Sequence, residues 1–393
     1  FDPSSDDRQV GDRYSYVTSV AAFEQANDGD FVGLGFRQQF EGPEDGRFLR
    51  LIEVFGSGPR EAPTPASEAG LRRGDRIFAI NGSRVADLVA TRPAGTSEGA
   101  AVDAAFGEPR EGEAVTLAGE RRDGTAFSVR IVRRPIEFNE VPNAAVLVPG
   151  PEPIGYMVLR SFTTRGVLGE LFEAVGALEE QRVTRLIVDL RYNRGGLLRV
   201  AQELGSLLVG PQFPDTLLMG LEFNPVKSSE YDSTFRLQSV PSCDGFDAES
   251  CSGPARPLTR LREVVFIVTE STASASEMVI NGLQPLIPVR LVGSRTFGKP
   301  VGSLSFQHSD CEQVFVPTTF RVVNAENQGG FYEGIQPDCF SIDDVTREYG
   351  DPKEASLAAA LSLLENGQCP TQGKVRASAA SGPRWTLDLG WRL

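Results

Sequence analysis

The 393-residue sequence holds a single histidine, His308. A Ser-His-Asp triad, a Cys-His dyad and a histidine-rich zinc site each need that residue type, so most histidine chemistry is excluded at once. Lysine is nearly as scarce: Lys227, Lys299, Lys353 and Lys374 are the four lysines among 39 basic residues. A lysine inside a motif therefore carries information. No apolar run reaches the ~18 residues that a membrane span requires. Basic charge is in deficit, 39 groups against 53 acidic ones for a net of −14. That balance argues against a nucleic-acid binder tracking phosphates and against docking on an anionic membrane.

What is present suits an exported chain with a real core. Hydrophobic residues make up 40%, and a length of roughly 150 residues per domain implies two or three domains. The chain starts at Phe1 with no initiator Met, which a cleaved export signal or a trimmed start would each explain. Cys243 and Cys251 lie eight apart in a Ser/Asp/Gly-rich stretch, a spacing for a small disulfide-closed loop. No C-x-x-C pair or companion histidine supports a metal site, so disulfides in an oxidising compartment, periplasmic or extracellular, are expected. Cys311, Cys339 and Cys369 leave an odd thiol. A lipid anchor ahead of Phe1 stays open.

Residues 1–30 read as a polar lead-in with a helix-like stretch around Ser15 to Gln25. Residues 31–135 alternate apolar and polar positions between turns, as in Phe48-Leu-Arg-Leu-Ile-Glu-Val-Phe55 and Arg76-Ile-Phe-Ala-Ile-Asn81, and form a mostly β module. Residues 136–370 alternate strand and helix: strands begin near Ile154, Leu186, Val264 and Val289, helices near Leu168, Leu197 and Ser276. That interval predicts right-handed βαβ units with helices covering a parallel-type sheet. A long Pro/Ser/Asp/Gly stretch separates Leu208 from Arg262. Residues 371–393 read as a loose tail.

Four strings carry chemistry. Gly33-Leu-Gly-Phe36, followed by Gly70-Leu-Arg-Arg-Gly-Asp75 and the tight turn at Asn81-Gly82, marks a hairpin-rich module and resembles a PDZ domain of bacterial proteases. The resemblance implies a loop of Gly33, Leu34, Gly35 and Phe36 whose backbone N–H groups meet a peptide's terminal carboxylate, with the peptide added to a sheet edge. Asp189-Leu-Arg-Tyr-Asn-Arg-Gly-Gly196 closes a buried strand with glycines that let backbone approach whatever lies above the sheet. Thr272-Ala-Ser274-Ala-Ser276-Glu277 opens a helix. Ser274-x-x-Glu277 is a capping box, yet a serine at a helix N-terminus also has free N–H groups and the positive dipole end beside it. It is not the G-x-S-x-G elbow, since neither neighbour is glycine.

A nucleophile there still needs a base. His308, in a polar Gln-His-Ser-Asp turn, reads as a solvated surface residue. Lys299 lies 25 residues after Ser274 in Gly293-Ser-Arg-Thr-Phe-Gly-Lys-Pro300, and serves if burial keeps it neutral. The same segment imitates a Walker A string. Pro300, however, replaces the Ser/Thr that binds Mg²⁺ and lacks an N–H, and a strand rather than a helix follows, so no nucleotide partner is expected.

Together with Gly334-Ile-Gln-Pro-Asp338, these strings resemble the C-terminal processing, or tail-specific, serine peptidases over roughly residues 30–365. The resemblance implies an α/β fold with a crotonase-like, Clp-protease-like βαβ core behind the PDZ module. It also implies a Ser274/Lys299 dyad and an oxyanion hole from Ala275 N–H with Gly195 or Gly196. Protein or peptide substrates recognised near their C-terminus follow from it, with no cofactor and no metal. Many relatives carry a glutamine four residues after the lysine; here Ser303 stands there, and on one strand Lys299, Ser303 and Gln307 would share a face, which makes Ser303 or Gln307 a stand-in. A catalytically inactive peptide-binding protein of the same fold is the alternative, and a homo-oligomer stays open.

Overall fold

The computed structural model describes residues 12–20, 23, 31–163, 166–243, 251, 253–307 and 311–370. His308 and the tail 371–393 lie outside the described residues. The chain divides into two compact units, one of residues 29–138 with 344–354, the other of the lead-in, 139–343 and 355–369.

The first unit is built on an antiparallel sheet in the order Phe36–Glu41, Phe48–Val54, Arg76–Ile80, Ala114–Glu120, Ala126–Val132. Alternation turns Leu49, Leu51, Ile77, Ile80, Val115, Leu117 and Ile131 into one buried cluster, closed by the helices Val85–Ala90 and Glu98–Phe106. Asn81 and Gly82 both take positive φ (49° and 85°), the conformation a tight hairpin turn demands of its central pair. Residues 344–354, which a contiguous reading assigns to the α/β core, join this unit instead. Arg73 explains why: it is fully buried, donates to Arg347 O (3.1 Å) and lies over the Tyr349 ring.

The second unit carries a six-stranded sheet ordered Ala144–Val148, Ile154–Val158, Arg185–Asp189, Glu263–Val268, Val289–Gly293, Cys339–Phe340. All neighbours after the first pair run parallel. Strands sheltered on both faces read as continuous apolar runs, and all five residues of Ile154–Val158 are buried. The helix Val167–Glu180 buries Leu168, Leu171, Phe172, Val175 and Leu178, the i, i+3, i+4 stripe that packs a helix on a sheet. The helices Leu198–Val209 and Ala275–Leu283 complete the alternation.

Three features depart from the sequence expectation. The stretch read as irregular between Leu208 and Arg262 contains the strand Leu217–Phe223, centre of an antiparallel sheet with Ser233–Arg236, Thr318–Val323 and Val301–Ser303. The helix-like stretch around Ser15 to Gln25 is corrected in its first part to a strand over Tyr16–Ser19, paired with Gln313–Val316, while Val20 and Phe23 are helical and 21–22 and 24–25 lie outside the described residues. The strand through Lys299, Ser303 and Gln307 is not continuous, because Val301–Ser303 and Phe306–Gln307 belong to different sheets. Disulfides join Cys243 to Cys251 and Cys339 to Cys369, leaving Cys311 free and exposed. Among the described residues no helix is long and apolar enough to cross a membrane.

Glu203, on the helix Leu198–Val209, is wholly buried. Its Oε1 meets Gln238 Nε2 (3.1 Å) and Arg199 Nε (2.7 Å), while Oε2 has no hydrogen-bond partner among the described residues. Burial pushes its pKa from 4.5 up to about 7. A pKa raised on folding contributes stability that is complete below the unfolded value and lost as pH rises through the folded one. At 1.36 kcal/mol per unit the span is about 3 kcal/mol. Urea unfolding of Glu203→Gln should show most of that pH dependence gone between about pH 5 and pH 8; a dependence equal to wild type would contradict the assignment.

Candidate active site

Ser274 sits at the sharp turn between the strand Glu263–Val268 and the helix Ala275–Leu283, with φ 57° and ψ −121°. This conformation lies outside the regions open to an L-residue and costs on the order of 1–3 kcal/mol. A hydroxyl at such a corner is presented at the helix N-terminus, and Ser274 is half-exposed. The neighbouring Ser276 is fully buried, with its hydroxyl donating to Asn193 O (3.2 Å).

The elbow needs a glycine, and Gly195 supplies it from another motif. A Cβ on Gly195 would stand 2.6 Å from Ala275 N, 2.7 Å from Ala273 O and 2.8 Å from Ser274 Cβ. The Asp189–Gly196 turn is sewn to the elbow by Asn193, whose carbonyl accepts from Ala273 N (3.0 Å) and whose side chain donates to Leu159 O (2.8 Å). Asn193 Oδ1 accepts from Gly195 N (2.9 Å). Gly195 N–H is therefore spent, whereas Gly196 N and Ala275 N have no acceptor among the described residues. At the start of the turn Asp189 is paired with the Arg191 guanidinium (2.6 Å) and accepts a hydrogen bond from Tyr156 Oη (2.9 Å).

Glu277 joins the elbow to the lysine loop. Its carboxylate is completely buried and accepts four bonds: from Ser274 N (3.0 Å), Thr296 Oγ1 (2.5 Å), Gly298 N (2.7 Å) and Lys299 N (2.8 Å). Thr296 Oγ1 also accepts from Ile335 N (2.7 Å), which leaves its proton for Glu277. Four donors facing one carboxyl favour the ionised form, as does its place in the first helical turn. Burial still raises its pKa above the ordinary value. The Gly334–Asp338 string backs the same loop: a Cβ on Gly334 would come within 2.1 Å of Thr296 O, and Asp338 Oδ2 accepts from Leu291 N (2.7 Å).

Burial also lowers the pKa of half-buried Lys299, outweighing the Glu277 charge that pulls the other way. Neither expected stand-in touches the amine: Ser303 Oγ is buried without a partner and Gln307 is exposed. Ser274, Ala275, Gly195, Gly196 and the Lys299 loop are thus brought together, and Ser303 and Gln307 are not bound into the group. Glu277, Asn193 and Thr296 were missed as site residues. Glu277 was visible only as a capping carboxylate, a local explanation that hides its partners 19 to 22 residues on.

In the other unit, Leu34 is buried and its carbonyl accepts from Ala66 N (2.8 Å), while Gly35, at φ 91°, accepts from Phe55 N (2.9 Å). Gly33 ends a short strand paired with Arg134–Ile136, and Phe36 opens an edge strand of the sheet beside Phe106.

Residues 153–340 match the family model of peptidase family S41. That segment is similar to the family over slightly less than half of the chain. The chain is 26% identical over 360 residues to carboxyl-terminal-processing peptidase 3, chloroplastic, of Arabidopsis thaliana, covering 88% of itself and 60% of the relative. It is 30% identical over 247 residues to a carboxyl-terminal-processing protease of Picosynechococcus, covering 63% and 51%. A Synechocystis protease of that name is 28% identical over 348 residues, covering 86% and 70%. The chain therefore spans between about half and 70% of the length of these relatives. A crystal structure assigned as an S41 protease from Bacteroides fragilis superposes with a TM-score of 0.66 at 21% identity, covering 91% of this chain and 87% of that one. The mixed α/β fold is the fold of that S41 structure.

Gly195→Ala places a Cβ against the elbow at φ 91°. Thermal unfolding should show a loss of about 1–3 kcal/mol; wild-type stability would mean that the turn and the elbow are not packed as described.

Proposed function

We propose that the chain is an exported serine endopeptidase using a Ser274/Lys299 dyad on protein substrates recognised near their C-terminus. The observation that carries this reading is that one buried carboxylate, Glu277, holds both the strained backbone of Ser274 and the loop of a lysine whose pKa is lowered. Ser274 Oγ attacks the scissile carbonyl while neutral Lys299 takes its proton. Gly196 N–H and Ala275 N–H hold the oxyanion, since Gly195 N–H is engaged with Asn193. Lys299 then protonates the leaving amine, and water hydrolyses the acyl-enzyme by the same route in reverse.

The finer fold reading belongs with it: a crotonase-like core and a PDZ-like first unit. Support for the latter is the edge position of Phe36–Glu41 with the Gly33–Phe36 loop at its start, which suits an added peptide strand and a terminal carboxylate. Two disulfides support an oxidising compartment. The second reading, a silent peptide-binding protein, is favoured by the lack of an orienting side chain at Ser303 or Gln307.

Cleavage of an unfolded substrate with a defined C-terminal tail separates the two. Ser274→Ala should abolish turnover and labelling by a fluorophosphonate, Lys299→Ala should cost ~10²–10⁴-fold with folding intact, and Ser276→Ala should still label. Because only the neutral amine is a base, wild-type activity should rise with pH through the lowered Lys299 pKa. A folded wild-type chain that neither cleaves nor labels would establish the silent reading instead.

A further inference from the structure

The carbonyl of Gly298 and the N–H of Lys299 belong to one planar peptide unit. Its N–H edge donates to Glu277 Oε2 (2.8 Å). Its carbonyl edge, which points the opposite way, accepts from Tyr14 Oη (2.5 Å) and Arg13 Nη2 (3.1 Å). A peptide plane gripped at both edges loses the rotation that swings the next Cα–Cβ bond, here the root of the Lys299 side chain. Glycine at 298, with φ 89°, lets the backbone lie where a Cβ would stand 2.3 Å from Tyr332 O. Arg13 Nη2 fastens that same carbonyl (2.7 Å).

The donors arrive on a braced segment. Asp12 Oδ1 accepts from Tyr14 N (3.1 Å) and Ser15 N (3.0 Å), and Ser15 Oγ accepts from Thr318 N (2.8 Å). Tyr16–Ser19 then pairs in register with Gln313–Val316. The Tyr14 ring is buried edge-on to Phe297, and the Arg13 guanidinium covers both rings, 5.1 and 5.4 Å from their centroids.

We propose that Arg13 and Tyr14 clamp the Gly298–Lys299 peptide, and that Tyr14 is a positioning residue that aims the general base from the far end of the chain. The proposal rests on the Ser274/Lys299 reading for its catalytic meaning. Burial raises the phenol's pKa, with Glu277 and Glu333 in the same sense and Arg13 opposed, so the hydroxyl keeps its proton and remains a donor at neutral pH. A purely structural contact would lose stability on substitution but leave the lysine's surroundings alone. The clamp makes a different demand, because a lysine freed from its buried pose regains hydration and its pKa rises toward the ordinary value.

Tyr14→Phe keeps the ring and removes one donor, and thermal unfolding verifies that the variant folds. We expect kcat to fall ~10-fold with KM unchanged and the acid limb of the pH profile to move to higher pH. The second measurement needs no turnover. With four lysines in the chain, a lysine-selective ¹⁵N spectrum resolves the Lys299 amine, identified by its loss in Lys299→Arg, and its titration midpoint should rise in Tyr14→Phe. An unmoved midpoint with unchanged kcat, or a loss of kcat with an unmoved limb and midpoint, would overturn the clamp. An inactive wild type with a midpoint that shifts would refute the peptidase reading and leave the clamp standing.

Discussion

A carboxylate with no water around it must be satisfied by the protein, and Glu277 is satisfied by groups from two places that have to act together. Three backbone N–H groups and one hydroxyl converge on it, one from the serine elbow and three from the Thr296–Lys299 loop. An uncompensated buried charge is far costlier than any single bond here. Neither segment can therefore move away without exposing that charge, and the serine and the lysine become parts of one body despite the residues between them.

The same carboxylate offsets the strain at Ser274 and complicates the chemistry at Lys299. A residue at φ 57° and ψ −121° persists only if its surroundings over-determine it. The bond from Ser274 N, the packing of Gly195 and the Asn193 stitching supply that constraint. At the lysine the negative charge favours the protonated form, the wrong one for a base. Burial wins, and the pKa goes down. The division of labour is clear: Glu277 fixes backbone, and the low-dielectric pocket sets protonation.

Much of this was legible in the residues. Strand and helix alternation placed the parallel core within a residue or two at Ile154–Val158, Arg185–Asp189 and Val289–Gly293, because doubly covered strands and one-sided helices leave opposite periodicities. Long-range roles were not. Leu217–Phe223 was lost in a Pro/Ser/Asp/Gly stretch because its partners, Ser233–Arg236 and Thr318–Val323, are set by tertiary pairing. Ser303 and Gln307 were placed on one strand by counting in twos, which fails where the chain changes sheet. The glycine missing beside Ser274 was sought in its own motif, but steric room is a property of space, and Gly195 provides it from another strand's end. Tyr14 left no signal, since a single donor to a distant carbonyl has no periodicity.

The central claim is that Glu277 binds nucleophile and base into one unit. It is tested most directly by the rate at which a fluorophosphonate phosphonylates Ser274, with loss of fluoride, in Glu277→Ala, with folding verified by circular dichroism. Release of the Thr296–Lys299 loop predicts a rate at least ~100-fold below wild type. A folded variant that is phosphonylated at the wild-type rate would contradict the account.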